Sequence, residues 1–151
     1  MIKRILNTED FKQAVNDIFD LHEFENENHG HFFLKHNKET ILNCLNHKHL
    51  LAWDFFVWAN FNGNNYDAII AFLNDKNVKF GESIFTEYIW LSKNPKVGYK
   101  LFKEALNFAR DKKFKYIMMN SVCKHPNSDQ VKNFYKKMGF VKDTETFIAK
   151  L

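Results

Sequence analysis

The spacing of apolar positions changes character twice along the chain. From Thr8 onward Phe11, Val15, Ile18, Phe19 and His22 recur three or four residues apart, which predicts an amphipathic helix reaching about Phe24. Thr8 is its expected cap, and Glu9 and Asp10 fall in the first turn, where the helix dipole favours negative charge. Ahead of it, residues 2–6 read as a short first strand. A polar bend at residues 25–30 follows, and residues 33–45 predict a second helix with Ile41, Leu42 and Leu45 inward.

At about Leu50 the helical period gives way to an aromatic and β-branched run, Trp53-Asp54-Phe55-Phe56-Val57-Trp58, which predicts a strand over residues 50–61 buried on much of both faces. Asn62-Gly63 supplies the positive φ angles of a tight hairpin, so residues 66–73 return as its partner. A turn around residues 74–77 then precedes a third strand over 82–92, completing an antiparallel meander. The helical period resumes at Asn94-Pro95, with asparagine as cap and proline at the first helical position. Val97, Leu101, Ala105, Phe108 and Ala109 form its buried stripe to about Lys112. Residues 116–122 predict a strand parallel to 82–92, joined to it by a right-handed crossover. Ser128 is the expected cap of a last helix carrying Val131, Phe134, Tyr135 and Met138, Gly139 ends it in the left-handed conformation, and residues 144–151 close the sheet. The prediction is therefore an α+β fold, residues 1–151 forming one domain. Its central sheet is mixed, an antiparallel meander plus a parallel strand-helix-strand crossover, flanked by helices.

Composition narrows the class. The chain has 151 residues, 45% hydrophobic, with only two prolines and five glycines, which excludes disorder and collagen-like or proline-rich architecture. The formal charge of +4 is spread along the sequence, so nucleic-acid binding is permitted but not indicated. Cys44 and Cys123 are too few for a disulfide framework and too far apart for a CxxC motif, which points to a reducing compartment, the cytoplasm. The most apolar stretch, residues 50–61, is interrupted by Asp54 and too short to cross a bilayer, and the first ten residues lack the apolar centre of a signal peptide.

The junction from Trp90 to Leu101 carries the first chemical signal. Free amides at a helix start, backed by the dipole, form an anion site, and Gly98 leaves room for a ligand to approach the backbone. Lys93, Lys96 and Lys100 crowd that end, where the dipole disfavours cations; a bound polyphosphate reconciles them with it, and solvated surface lysines are the alternative. His29-x-His31 and His47-x-His49 each offer two imidazoles, without a third ligand at a recognisable spacing, so no metal is assigned. Trp53, Phe55, Phe56 and Trp58 read as core in preference to a stacking platform, which weakens a nucleic-acid reading further.

The order of elements and two motifs resemble the GNAT superfamily of N-acetyltransferases. The acetyl-CoA loop of that family, Arg/Gln-x-x-Gly-x-Gly/Ala, aligns with Lys93, Lys96 and Gly98, so only the last glycine is retained. The late-helix signature fits more closely, with Ser128, Phe134-Tyr135 and Lys137-Met138-Gly139-Phe140 in place. The resemblance covers nearly the whole chain. It implies transfer of an acetyl group from acetyl-CoA to an amine, on a small molecule or a peptide, by direct attack in a ternary complex. It also implies that Leu91, Ser92, Lys93, Lys96, Val97, Gly98, Tyr99 and Lys100, with Ser128 and Phe134, bind the co-substrate, and that Tyr135 protonates the departing thiolate. Glu87, a carboxylate in the middle of an apolar strand, is the candidate base; some family members carry a Glu on this strand in that role, and Asp54 and Asp67 are runners-up. Glu23, Glu25, Glu27, His29 and His31 lie in the bend that roofs the acceptor site in the family. The degenerate loop supports the main rival, a catalytically inactive GNAT-like binding or regulatory module. A nucleic-acid-associated accessory protein, which salt-dependent DNA or RNA binding would reveal, is a third option. The acceptor is not identified, and a homo-oligomer is left open.

Overall fold

The computed structural model describes residues 1–29, 37–44, 54–77, 81–121 and 127–143. The elements are β1 (Ile2–Ile5), α1 (Thr8–His29), α2 (Lys38–Cys44), β2 (Phe55–Phe61), β3 (Tyr66–Asn77), β4 (Glu82–Ser92), α3 (Pro95–Asp111), β5 (Tyr116–Met118) and α4 (Ser128–Lys137). The five strands lie in sequence order in one sheet. β1 to β4 pair antiparallel, and β5 joins β4 in parallel, with Phe85 opposite Ile117. This is the mixed α+β sheet that the sequence predicts. The chain divides into two compact units, one of Met1–His22 with Asn37–Met119, the other of Glu23–His36 with Asn120–Leu151.

The sheet lies in the first unit, and its two faces bury different chemistry. Residues 55, 57 and 59 of β2 point to one face and join Ile69, Ala71 and Ile89 in a core with Phe11, Ala14, Val15 and Ile18 of α1 and Ile41 of α2. Residues 56 and 58 point to the other, where Phe56, Trp58, Phe72, Phe85, Phe108 and Phe114 form an aromatic cluster beside α3; Phe72 and Phe85 stack with centroids 4.1 Å apart. β2 is thus buried on both faces, as its unbroken aromatic run predicts. The Arg4 guanidinium lies 4.4 Å from the Phe108 centroid, packing β1 against α3. Burial lowers its pKa from the ordinary value.

Several boundaries differ from the sequence reading. Asn7, not Thr8, caps α1: its Oδ1 accepts the Asp10 N–H at 2.8 Å. Asn127, not Ser128, is the residue before α4. The predicted turn at residues 74–77 is instead the end of β3, with Asp75 opposite Ile84 and Asn77 opposite Glu82. The polar residues there extend the ladder, Asp75 and Lys76 exposed, and Gly81, at φ +65°, precedes β4. α1 continues past Phe24 to His29. β5 ends at Met118, short of the predicted Val122. The predicted strand at 144–151, and the parts of the second helix and second strand at 33–36, 45 and 50–53, lie outside the described residues.

Candidate functional site

The β4–α3 junction is built tightly. Asn94, at φ −104° and ψ 109°, leaves the strand, and Pro95 opens the helix with φ already suited to it. The Asn94 Oδ1 accepts the Lys96 N–H at 3.0 Å, its carbonyl accepts the Gly98 N–H at 2.9 Å, and the Ser92 hydroxyl donates to the same carbonyl at 2.8 Å. Proline has no N–H, so of the three earliest amide donors that remain, Lys96 and Gly98 are engaged. The Val97 N–H has no partner among the described residues and is the donor open to an anion. Lys93, Lys96, Tyr99 and Lys100 are exposed around it, and no acidic residue stands in the first turn.

Gly98 has a role the sequence reading did not assign. A Cβ built there would lie 3.2 Å from the Ser92 Cβ and 3.4 Å from the Trp90 Nε1. The space is therefore filled by β4 side chains, and the missing side chain lets α3 settle on its own strand. Trp90 continues that contact by stacking on Phe102, with centroids 5.8 Å apart. The cue in the sequence is Trp90-x-Ser92, two same-face residues just ahead of a helix containing a glycine.

A bulge interrupts β4 in its middle. Ala71 is opposite Ile89 and Phe72 is opposite Glu87, which leaves Tyr88 as the extra residue. Tyr88 and Ile89 both pack on the α1/α2 core, and the Tyr88 ring meets Phe55 edge-on at 5.5 Å. Glu87 is half-buried and in register with Phe72, on the aromatic side of the sheet. Adjacent apolar pairs, Ile84-Phe85 and Tyr88-Ile89, in place of strict alternation are the signal of this bulge. Beside Tyr88, Phe11, Phe19, Ile41 and Phe55 enclose an apolar cavity of about 10 Å³, room for one water-sized sphere.

The other carboxylates are committed to local contacts. Asp54 lies 3.5 Å from the Lys76 Nζ at the edge of the sheet, and its carbonyl accepts the Asn74 N–H. The Asp67 Oδ1 accepts the Asn60 side-chain amide at 2.7 Å beside the irregularity between β2 and β3.

In the second unit, the late-helix motif has a clear structural content. The Gly139 N–H donates to the Lys136 carbonyl and the Phe140 N–H to the Tyr135 carbonyl, with Gly139 at φ +85°. This is a Schellman cap, and the Tyr135–Phe140 ring contact at 5.4 Å is its usual apolar accompaniment. Tyr-x-x-x-Gly-Phe is therefore first a way of ending a helix. Tyr135 is 8% exposed, and its hydroxyl donates to the Asn120 carbonyl at 2.9 Å. Phe134 packs against it at 5.8 Å, and Ser128 is the first residue of the helix.

Phe55, Phe56 and Trp58 are core residues, each under 5% exposed, as the sequence reading prefers; Trp53 lies outside the described residues. His31, His47 and His49 also lie outside them, as do the side chains of Glu23, Glu25, Glu27 and His29. Among the described residues no group of three His, Cys, Asp or Glu side chains is placed to hold a metal, and no helix is long and apolar enough to cross a membrane.

No family model and no curated protein matches this sequence. Solved structures match it along its full length. An aminoglycoside acetyltransferase from an uncultured soil metagenomic sample, in complex with sisomicin, is 15% identical with a TM-score of 0.67, the match covering 100% of this chain and 95% of that one. A Trypanosoma brucei acetyltransferase is 12% identical with a TM-score of 0.65, covering 100% of both chains. A ribosomal-protein-alanine N-acetyltransferase from Brucella melitensis biovar Abortus 2308 is 8% identical with a TM-score of 0.64, covering 100% of this chain and 99% of that one. At these identities the likeness is one of fold.

Proposed function

From a chain that has the fold of the GNAT acetyltransferases, we propose an acyltransferase that moves an acetyl group from acetyl-CoA to an amine, residues 1–151 acting as one domain in the cytoplasm. The observation that carries this reading is the α3 start, within a fold matching acetyltransferases from end to end. It combines an open Val97 amide, a first turn without acids and exposed Lys93, Lys96 and Lys100. These residues suit the pyrophosphate of acetyl-CoA. The Asn94 carboxamide competes with a phosphate oxygen for the Lys96 N–H.

In the proposed reaction the neutral amine attacks the thioester carbonyl, a C–N bond forms and the C–S bond breaks. Glu87, directly or through water, takes the proton from the amine, and the Tyr135 hydroxyl supplies one to the departing thiolate. Both roles rest on position in the strand and in the late-helix motif. The acceptor is an amine on a small molecule or a peptide.

A specific observation favours a second reading, an inactive binding module: Asn94 already occupies one of the few free amides, and Ser92 and Trp90 fill the space beside Gly98. One experiment separates the two. Acetyl-CoA at a hundred times its dissociation constant should stabilise the fold by about 2.7 kcal/mol in a thermal titration. The exposed pair Lys96→Glu and Lys100→Glu should remove that shift without lowering the ligand-free Tm. Turnover of amine pools, read by mass spectrometry, should fall roughly 10²-fold in kcat for Tyr135→Phe. Binding without turnover establishes the inactive module; neither binding nor turnover rejects both readings.

A further inference from the structure

The solvent face of α3 carries a line of four cations. Lys96, Lys100, Lys103 and Arg110 follow one another at helical spacing along a single ridge, with Asn107 between them. The ridge lies opposite the buried Gly98, Leu101, Phe102, Ala105 and Ala109. All four cations are exposed, and none forms an ion pair among the described residues. Glu104 and Asp111 flank one side of the ridge; Tyr99, 43% exposed, flanks the other. Elsewhere in the same unit four lysines find acids, Lys12 with Glu9, Lys38 with Asp20, Lys76 with Asp54 and Lys115 with Glu82, whereas the exposed Lys93 and Lys113 find none among the described residues. The sequence spreads its positive charge, and helical geometry gathers part of it into a line.

We propose that this ridge binds single-stranded nucleic acid, phosphates lying along the four cations and a base stacking on Tyr99. A helix rises about 1.5 Å per residue, so the four cations span roughly 21 Å, the reach of a short run of backbone phosphates. Phosphate contacts need only charge and position, whereas a stable protein interface needs an apolar centre that this ridge lacks. The exposed ring beside Lys96, Lys100 and Lys103 favours a ligand with bases to stack over one with charge alone. Three of these groups, Lys96, Tyr99 and Lys100, are also proposed co-substrate residues, so acetyl-CoA and nucleic acid would compete there. Lys103 and Arg110 lie outside that set, and their replacement tests this inference alone.

The test is fluorescence anisotropy of an oligouridylate of about twelve nucleotides, titrated across salt concentrations. Four neutralised phosphates give a slope of log K against log salt of about −2.8. Replacing Lys103 and Arg110 with glutamine should reduce it to about −1.4. The same change at Lys132 and Lys137 of α4 should leave it unaltered. Tyr99→Ala should weaken binding at least about fivefold, the low end for a stacked base, without changing the slope. Tm measured on each variant separates lost contacts from lost fold. No binding to the oligomer, a slope indifferent to Lys103 and Arg110, or equal affinity for polyglutamate or phosphatidylserine vesicles of matched charge overturns the proposal.

Discussion

Helices α3 and α4 are written in the same grammar and terminated by different forces. Each follows an asparagine, and each ends in a Schellman cap. Asn94 closes α3 with its side chain, whereas Asn127 makes no side-chain cap bond. At the other ends the roles reverse. α4 turns on Gly139, which reaches φ +85° without strain, but α3 turns on Lys113 at φ +60°, where a side chain crowds the backbone. The reason lies one residue on: Phe114 enters the aromatic cluster, 5.0 Å from Phe85 and 6.1 Å from Phe56. Phe114 is half-buried there, and its ring contacts offset the backbone cost at Lys113. Packing sets the end of α3, and local residue chemistry sets the end of α4.

The strongest test of this contrast removes the packing. Phe85 is fully buried and stacks on Phe72, so Phe85→Ala should destabilise the protein by about 3–5 kcal/mol in urea unfolding. Phe140→Ala, at the half-buried cap of α4, should cost less than half of that. Equal losses would mean that packing governs both ends alike.

A mirrored pair probes the backbone. Gly139→Ala should destabilise by about 1–2 kcal/mol, because a side chain is forced into the left-handed region. Lys113→Gly should stabilise by up to about 1 kcal/mol, less whatever entropy the unfolded chain gains. Thermal melts of both variants decide it, and a loss of stability in Lys113→Gly would show that the lysine side chain contributes more than its conformation costs.

The smallest expected effect lies at the helix starts. Asn94→Ala should cost about 1 kcal/mol, since its side chain holds the Lys96 amide, and Asn127→Ala only a few tenths. If acetyl-CoA takes that amide, Asn94→Ala should also tighten co-substrate binding, which isothermal calorimetry would register.

Much of the fold was readable because it follows from short-range rules. The aromatic run in β2 and Asn94-Pro95 at the start of α3 each specify their element from side-chain and backbone chemistry within a few residues. At the hairpin only Gly63 takes a positive φ, +113°, and the turn is a four-residue loop in which the Asn62 N–H donates to the Asn65 carbonyl, in place of the expected tight Asn-Gly turn. The turn misplaced at residues 74–77 shows the limit. Four polar residues suggest a loop, yet pairing of β3 with β4 extends through them, because a ladder already formed adds bonds cheaply. The candidate site was legible as residue types more than as arrangement. Gly98 was identified as special, but that Ser92 and Trp90 occupy its free space depends on how a helix seats on a strand. The motif around Tyr135 was visible, whereas the bond from its hydroxyl to the Asn120 carbonyl spans fifteen residues of chain.

The sequence by itself determined the order of the described elements, the antiparallel meander with its parallel crossover, the two-faced burial of β2 and the left-handed cap at Gly139. Each depends on periodicity or on the conformational range of a single residue, which local sterics and burial impose wherever the segment sits. Only the tertiary structure decided that β4 bulges at Tyr88, that Lys113 takes a glycine-like conformation, and that Ser92 and Trp90 fill the space beside Gly98. These depend on which atoms meet across the sheet and around a helix, and the free energy of meeting belongs to pairs that the linear order keeps apart.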